Sequence, residues 1–352
     1  MNAVPNQALP AQPLSVWVLD EGRRGHLNQS LGLLDALARH VEVRSEVVPA
    51  RYVVPGWLRT VVRTAVIRSR DIPDGLIRRC YRDLRLPSGR PDIVISSGGR
   101  SVPLALWLRQ RFACRQVYLG EVRPYPTRLF DVLLTPVAQP GAAHVVPTEL
   151  LVTRVTPHDF DLARNATRAT FGVGENECTA AILIGGASRS HVFRDSDWRE
   201  LANGINATRA QYGWRWLLTT SPRTGPGVEA LLQASIDPGA LSNAVWWGEQ
   251  PHSVVRQYLA AADVVYVTSD SLTMVSEAVA SGKPTVAVRP HKIRHSAYVE
   301  DALGAAADNR RILPVTCDGL PASAGSLETL RPLTQAPGDR YAGALLDLLP
   351  SG

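Results

Sequence analysis

The chain has 352 residues, 45% of them apolar and 20% charged, a globular composition long enough for two domains with separate cores. No run approaches the ~20 apolar residues that span a bilayer, and Cys80, Cys114, Cys178 and Cys317 form no CxxC pair. A disulfide framework and a cysteine-ligated zinc site are therefore not expected. The net charge of +6 is uneven: residues 51–90 carry ten arginines against Asp71, Asp74 and Asp83, so this segment is +7 and the remainder −1. A coding bias accounts for Arg over Lys, but not for the clustering.

Residues 1–13 (MNAVPNQALPAQP) are Pro- and Ala-rich without periodicity and lack the basic start of a secretory signal, so they read as a disordered leader. Beyond them, short apolar runs alternate with amphipathic stretches, the mark of βαβ units and a parallel sheet. SVWVLD (15–20) is a predicted strand, followed by a helix over about 26–39 whose Leu31, Leu34, Leu37 and Ala38 share a face. VEVRSEVVP alternates as a second strand. The basic segment follows, with Trp57, Leu58, Val61, Val62, Ala65 and Val66 at helical spacing. PDIVISSGGRSVPLALWLRQR (91–111) reads as strand, Gly-rich turn and helix, and QVYLGE (116–121) and DVLLTP (131–136) as two further strands.

A polar segment at about 156–176 reads as a linker, after which the pattern restarts. TAAILIGGAS (179–188), a helix around 195–210, WRWLLTTSPRTG (214–225), VWWG (245–248), a helix over 251–261, DVVYVTSDS (263–271), a helix to 281 and PTVAVRP (284–290) make a second set. A last helix is expected over 340–349, after a loose Pro/Gly/Ser stretch.

In open α/β sheets ligands bind beyond the carboxyl ends of the strands, where helix N-termini present free N–H groups. Four turns occupy such positions. Gly22 and Gly25 lie in the first, with His26 where the helix starts; Gly98 and Gly99 lie in the second and Gly185 and Gly186 in the third. The fourth, VTSDSLTM, offers Ser269, Ser271 and Thr273 as phosphate partners. None has the spacing of a dinucleotide fingerprint or a P-loop, and glycine after a strand also arises for steric reasons alone. Glu277 falls on the helix after the fourth turn, within reach of a ribose diol or, equally, as a solvated surface carboxylate. Arg189, Arg223 and Lys283 each follow a turn of the second half and are candidate diphosphate partners. His26 is the candidate base or else a helix-start histidine, with Asp20 and Glu21 as alternative bases or strand-end carboxylates holding Arg23 or Arg24. Two DxD triplets, Asp159–Asp161 and Asp195–Asp197, read as chance or as N-capping carboxylates, and no cluster has metal-ligand spacing.

The arrangement in ADVVYVTSDSLTMVSEAVASGKP resembles the donor half of GT-B glycosyltransferases such as the MurG-type N-acetylglucosaminyltransferases, where a Glu on this helix binds the nucleotide-sugar ribose. Together with DEGRRGHLNQSLGL, PDIVISSGGRSVPLALWLRQR, ILIGGASRS and LLTTSPRTG, it resembles the mitochondrial-fission ELM-type family, in order over most of 15–290. The sequence departs from that family at TPVAQPGAAHVVP, where a His-Asp pair is expected, and at Gln250-Pro251-His252, where Asn-Pro-Tyr is expected.

The resemblance implies an α/β fold of two Rossmann-like domains facing across a cleft: residues 14–160 on the acceptor side, 161–337 on the nucleotide-sugar side, and a C-terminal helix within 338–352 packing back on the first. It implies a metal-independent transferase with no bound cofactor, acting on a nucleoside diphosphate sugar and an envelope or lipid-linked acceptor. Donor-binding residues are then Gly185, Gly186, Ser188, Arg189, Ser221, Arg223, Ser269, Ser271, Thr273 and Glu277; acceptor-side residues are Gly22, Gly25, Gly98 and Gly99; His26 and Asp20 are catalytic. A non-catalytic membrane adaptor and a nucleotide-sugar epimerase are the alternatives. YVVPGWLRTVVRTAVIRSR, within 51–70, interleaves Arg with a Trp-led apolar face and is expected at an anionic membrane surface, placing the protein peripherally at the cytoplasmic face. No nucleic-acid module accompanies it.

Overall fold

A computed structural model describes residues 12–137, 142–161, 164–174, 176–186, 188, 190–294 and 296–348. The expected leader lies outside them except for Gln12 and Pro13. The chain divides into two compact units, Met1–Arg154 with Pro337–Gly352, and Val155–Ala336.

The first unit is built on six parallel strands: β1 (Leu14–Asp20), β2 (Val43–Pro49), β3 (Ile93–Ser97), β4 (Arg115–Leu119), β5 (Val132–Thr135) and β6 (Val145–Pro147), in the order β2-β1-β3-β4-β5-β6. β1 and β3 are sealed on both faces, which is why they read as continuous apolar runs. Helices α1 (Arg24–Leu37), α2 (Arg59–Arg68), α3 (Asp74–Cys80) and α4 (Val102–Phe112) make the connections. Val16, Val18, Leu33, Leu37, Ile93 and Ile95 form the core on one side of the sheet, Trp17, Leu19, Leu104 and Leu108 lie in the core on the other. The C-terminal helix, Pro337–Asp347, joins this unit. Its Tyr341, Ala342 and Leu345 enter the α1 core, and the Tyr341 hydroxyl accepts from the Glu149 N–H at 2.9 Å.

In α2 the apolar residues expected on one face divide. Val62 and Val66 are buried, whereas Trp57, just ahead of the helix, and Val61 are 78% and 61% exposed. No helix among the described residues is long and apolar enough to cross a membrane.

The second unit begins with α5 (His158–Asp161) and α6 (Arg164–Thr170). The segment read as a linker is therefore helical in part. Its polarity hides a buried anchor: Arg168 is 2% exposed, donating to the carbonyls of Ala261 (3.0 Å), Gly174 (2.7 Å) and Glu177, and pairing with Asp263 at 3.1 Å. Arg164 pairs with Asp263 as well. Burial by a charged residue leaves no apolar periodicity to read.

The remaining strands are β7 (Thr179–Leu183), β8 (His191–Val192), β9 (Arg215–Thr219), β10 (Leu241–Val245), β11 (Val264–Thr268), β12 (Thr285–Arg289), β13 (Lys292–Ile293) and β14 (Leu313–Thr316). Six run parallel in the order β10-β9-β7-β11-β12-β14, and β8 and β13 form a two-stranded antiparallel ribbon. Helices α7 (Asp195–Tyr212), α8 (Pro226–Ser235), α9 (Val255–Ala261), α10 (Leu272–Ala280), α11 (Ala297–Asp308) and α12 (Leu320–Ser323) complete the unit. β10 lies ahead of VWWG, whose Trp246–Gly248 follows the strand. α8, α11 and β14 occupy stretches for which the sequence predicted no element.

Both sheets reverse their strand order beside the first strand of the unit. The reversal lies between β1 and β3 in the first unit and between β7 and β11 in the second. Ligand sites of open α/β sheets form at such switch points, beyond the carboxyl strand ends.

Candidate functional site

At the first unit's switch point, the turns after β1 and β3 lock together. The Glu21 side chain is only 1% exposed and holds His26 Nδ1 at 2.6 Å. Its other oxygen accepts the Arg100 N–H at 3.1 Å, and Arg23 lies 3.8 Å away. Burial alone would raise the Glu21 carboxyl. The hydrogen bond and charge of His26, the Arg100 N–H and the Arg23 charge outweigh it and hold the carboxyl below its ordinary range. An ionised Glu21 accepts from Nδ1–H, so a neutral His26 carries its lone pair on Nε2.

The second turn is equally fixed. The Ser101 hydroxyl donates to the Gly98 carbonyl at 2.7 Å, and Tyr81 donates to the Arg100 carbonyl at 2.6 Å. Gly98 has φ +87°, and a Cβ there would lie 2.3 Å from His26 Nδ1 and 2.5 Å from the Glu21 carboxylate. A side chain at 98 would break the pair apart.

Glu21 and His26 open onto a recess of about 210 Å³, lined also by Arg23, Gly99, Arg100, Tyr52, Tyr125, Arg59, Arg63 and Pro124. Asp20 is not in the lining, and its carboxylate accepts the Gly22 N–H at 2.8 Å, shaping the turn. Gly22 and Gly25 do not line it either; Gly25 lies within α1. Sequence reasoning weighed Glu21 only as an alternative base and did not single out Arg100, Tyr52 or Tyr125. Arg59 and Arg63 belong to the basic segment, and here they join the recess.

In the second unit, three turns interlock at the switch point. The Gly185 N–H donates to the Thr268 hydroxyl at 2.7 Å, and its carbonyl accepts from the Ser221 and Thr224 hydroxyls at 2.5 and 2.6 Å. Asp270 lies against this turn with its side chain fully buried, and the Arg223 guanidinium pairs with it at 2.7 Å. Burial pushes the Asp270 carboxyl up, against the opposing pull of Arg223 and the hydrogen bonds from Thr268 and Gly186. A Cβ on Gly185 would stand 2.4 Å from the Asp270 carboxylate, and one on Gly186 2.3 Å from the Arg223 carbonyl. These glycines are dictated by close approach of neighbouring groups.

Ser271 caps α10, its hydroxyl accepting from the Met274 N–H at 3.4 Å. The Ser269 hydroxyl is buried without a hydrogen-bond partner among the described residues. Thr273 and Glu277 are half-buried on α10. Ser188 closes a tight turn with His191, accepting its N–H at 3.0 Å. Arg189 lies outside the described residues. The structure thus gathers Gly185, Gly186, Ser221 and Arg223 with the start of α10, and adds Asp270, which sequence reasoning missed. The only signal for Asp270 is a charge two residues after the end of a buried strand.

Among the described residues, Asp197, Glu200 and His291 place ligand-type atoms within 4.8 Å of one another. Asp197 is committed to structure. It accepts the Arg194 N–H at 2.7 Å at the start of α7, and the His291 N–H and Nδ1 at 3.1 and 2.7 Å. The hydrogen bond to Asp197 holds the exposed His291 above its ordinary range.

A family model described as mitochondrial fission ELM1 matches residues 24–342. The uncharacterized protein RP120 of Rickettsia prowazekii (strain Madrid E) is 20% identical over 322 residues, covering 82% of this chain and 87% of its own. Among solved structures, the UDP-GlcNAc 2-epimerase of Methanocaldococcus jannaschii, in complex with UDP-GlcNAc and UDP, superposes with a TM-score of 0.54 at 11% identity, over 96% of this chain and 100% of that one. MurG of Acinetobacter baumannii gives 0.50 at 12% identity, over 96% and 99%. The two Rossmann-like units are those of the GT-B fold.

Proposed function

The chain belongs to the mitochondrial fission ELM1 family, and on that premise we propose that it is a metal-independent GT-B-type glycosyltransferase. In this reading a nucleoside diphosphate sugar binds the second unit, and an envelope or lipid-linked acceptor binds the first. The observation that carries the reading is the interlocked set of turns at the second unit's switch point, where Arg223 stands over buried Asp270 beside the start of α10. Arg223 and the N–H groups of the α10 first turn would hold the diphosphate, and Glu277 the ribose. The epimerase of the same fold binds UDP and UDP-GlcNAc, which supports a uridine nucleotide here.

Transfer needs an acceptor oxygen to attack the anomeric carbon while the bond from that carbon to the diphosphate oxygen breaks. The departing nucleoside diphosphate keeps the bonding electron pair. His26 Nε2 takes the acceptor proton, and Glu21 steadies the imidazolium that forms, as an ionised carboxylate beside a histidine does. Trp57 and Val61, both exposed beside the arginines of α2, support peripheral attachment to anionic lipid at the cytoplasmic face.

Calorimetric titration with UDP and other nucleoside diphosphates tests the reading. Saturable binding that weakens about tenfold or more in Arg223→Ala is expected. No binding by any nucleoside diphosphate, with Glu277→Ala behaving as wild type, overturns it. The similarity to a UDP-GlcNAc 2-epimerase favours a second reading, epimerisation of the donor. Turnover of a nucleotide sugar without any acceptor selects that reading over transfer.

A further inference from the structure

The recess of the first unit is lopsided in its chemistry. Arg23, Arg59, Arg63 and Arg100 face it against the single carboxylate of Glu21, a surplus of three positive charges before His26 is counted. Among the described residues, Arg59, Arg63 and Arg100 make no ion pair; Arg59 Nε donates to the Val54 carbonyl at 3.3 Å. Tyr52 and Tyr125 add two phenols that burial keeps protonated, hence able to donate. The acceptors on the wall are few, and Glu21 already spends its oxygens on His26 and the Arg100 N–H. Such a surface, rich in donors and cations, is complementary to a compact group bearing several anionic oxygens.

Size narrows the class. At about 210 Å³ the recess falls below the ~300–1,000 Å³ of sites that enclose whole small molecules. It suits a phosphate or diphosphate, with the rest of the ligand outside. We propose that this recess binds the phosphate or diphosphate group of the acceptor. The word acceptor rests on the transferase reading above, whereas the anion site rests on the recess alone. The bound anion would anchor the acceptor on Arg59, Arg63 and Arg100, beside His26.

The experiment uses the full chain and inorganic pyrophosphate, titrated calorimetrically in the presence of saturating UDP. Binding should weaken as salt rises, fall about tenfold or more in Arg63→Ala and in Arg100→Ala, and survive in Arg223→Ala. Circular dichroism confirms that each variant folds, and Arg59→Ala, altered at an exposed position, replaces any that does not. No binding, or binding that only Arg223→Ala weakens, overturns the site. UDP binding that depends on Arg223, without pyrophosphate binding in the recess, sinks this proposal and leaves the transferase reading standing. Pyrophosphate binding that depends on Arg63, with no nucleotide bound, does the reverse.

The same chemistry arrives on a lipid headgroup or on a soluble ester. Flotation with phosphatidylcholine vesicles containing a polyprenyl phosphate separates the two. Capture that pyrophosphate competes away and Arg63→Ala abolishes assigns the lipid. Pyrophosphate binding without capture assigns a soluble phosphate ester.

Discussion

Gly98 and His26 are in such close apposition that a single methyl group between them would stand 2.3 Å from the imidazole Nδ1. Gly98 lies in the turn after β3 and His26 in the first turn of α1, so the glycine is a condition for that histidine to reach Glu21. Gly98→Ala meets two penalties, the positive φ at about 1–2 kcal/mol and the contact itself. We expect it to lower stability by about 2 kcal/mol or more in urea denaturation and to disrupt the His26 ring resonances in NMR. A variant with unchanged stability and unchanged His26 signals contradicts this geometry.

Glu21→Gln keeps the shape of the buried side chain and removes its charge. At neutral pH it should cost about 1–3 kcal/mol, the range for losing a charged hydrogen-bond partner in a buried site. The dependence on pH has a fixed sign. The folded-state carboxyl of Glu21 lies below its ordinary 4.5, so its stabilisation is full above 4.5 and is lost as pH falls through the lower folded value. The gap between wild type and Glu21→Gln should therefore narrow below pH 4.5 in denaturant titrations. A gap that widens on acidification would mean that Glu21 is not ionised in the folded protein.

Asp270 and Arg223 make a second pair, one partner fully buried and the other 43% exposed. Arg223→Ala strands the carboxylate against the Gly185 turn, a cost of about 1–3 kcal/mol, eased by protonation because burial already raises the carboxyl. Asp270→Asn should relieve much of that cost, giving a double variant more stable than Arg223→Ala alone. Additive losses in the double-mutant cycle would show that the pair is energetically uncoupled.

Trp57 is 78% exposed. Replacing it with Ala should leave the melting temperature within about a degree of wild type, as surface substitutions do, yet reduce co-sedimentation with anionic vesicles severalfold. Equal sedimentation of the two proteins would remove α2 from the membrane edge.

What the sequence revealed follows from what burial looks like along a chain. β1, β3, β7 and β11 are enclosed on both faces, and each was legible as an apolar run ending in a polar turn. The glycines after β3 and β7 were visible as turn residues, but the close approaches that require Gly98, Gly185 and Gly186 involve groups from other turns and were not. Asp270, Arg168 and Glu21 were harder to read. Each is a buried charge whose partner lies far along the chain or across a turn: Asp270 pairs with Arg223, and Arg168 with Asp263. The recess was illegible for a similar reason. Its arginines come from α2 and from the turns after β1 and β3, and only the β2-β1-β3 strand order brings those segments together.

The C-terminal helix carries a consequence for how the protein is made. Tyr341, Ala342 and Leu345 fill the core over α1, yet they are synthesised after every residue of the second unit. During translation the first unit must wait, with part of that apolar face uncovered, while some 180 residues emerge, roughly ten to forty seconds at ordinary elongation rates. The second unit has no such delay, since all of its strands lie within one continuous segment. The later-made half is thus the first to be finished, and the recess-bearing half is completed only when the helix Pro337–Asp347 has emerged.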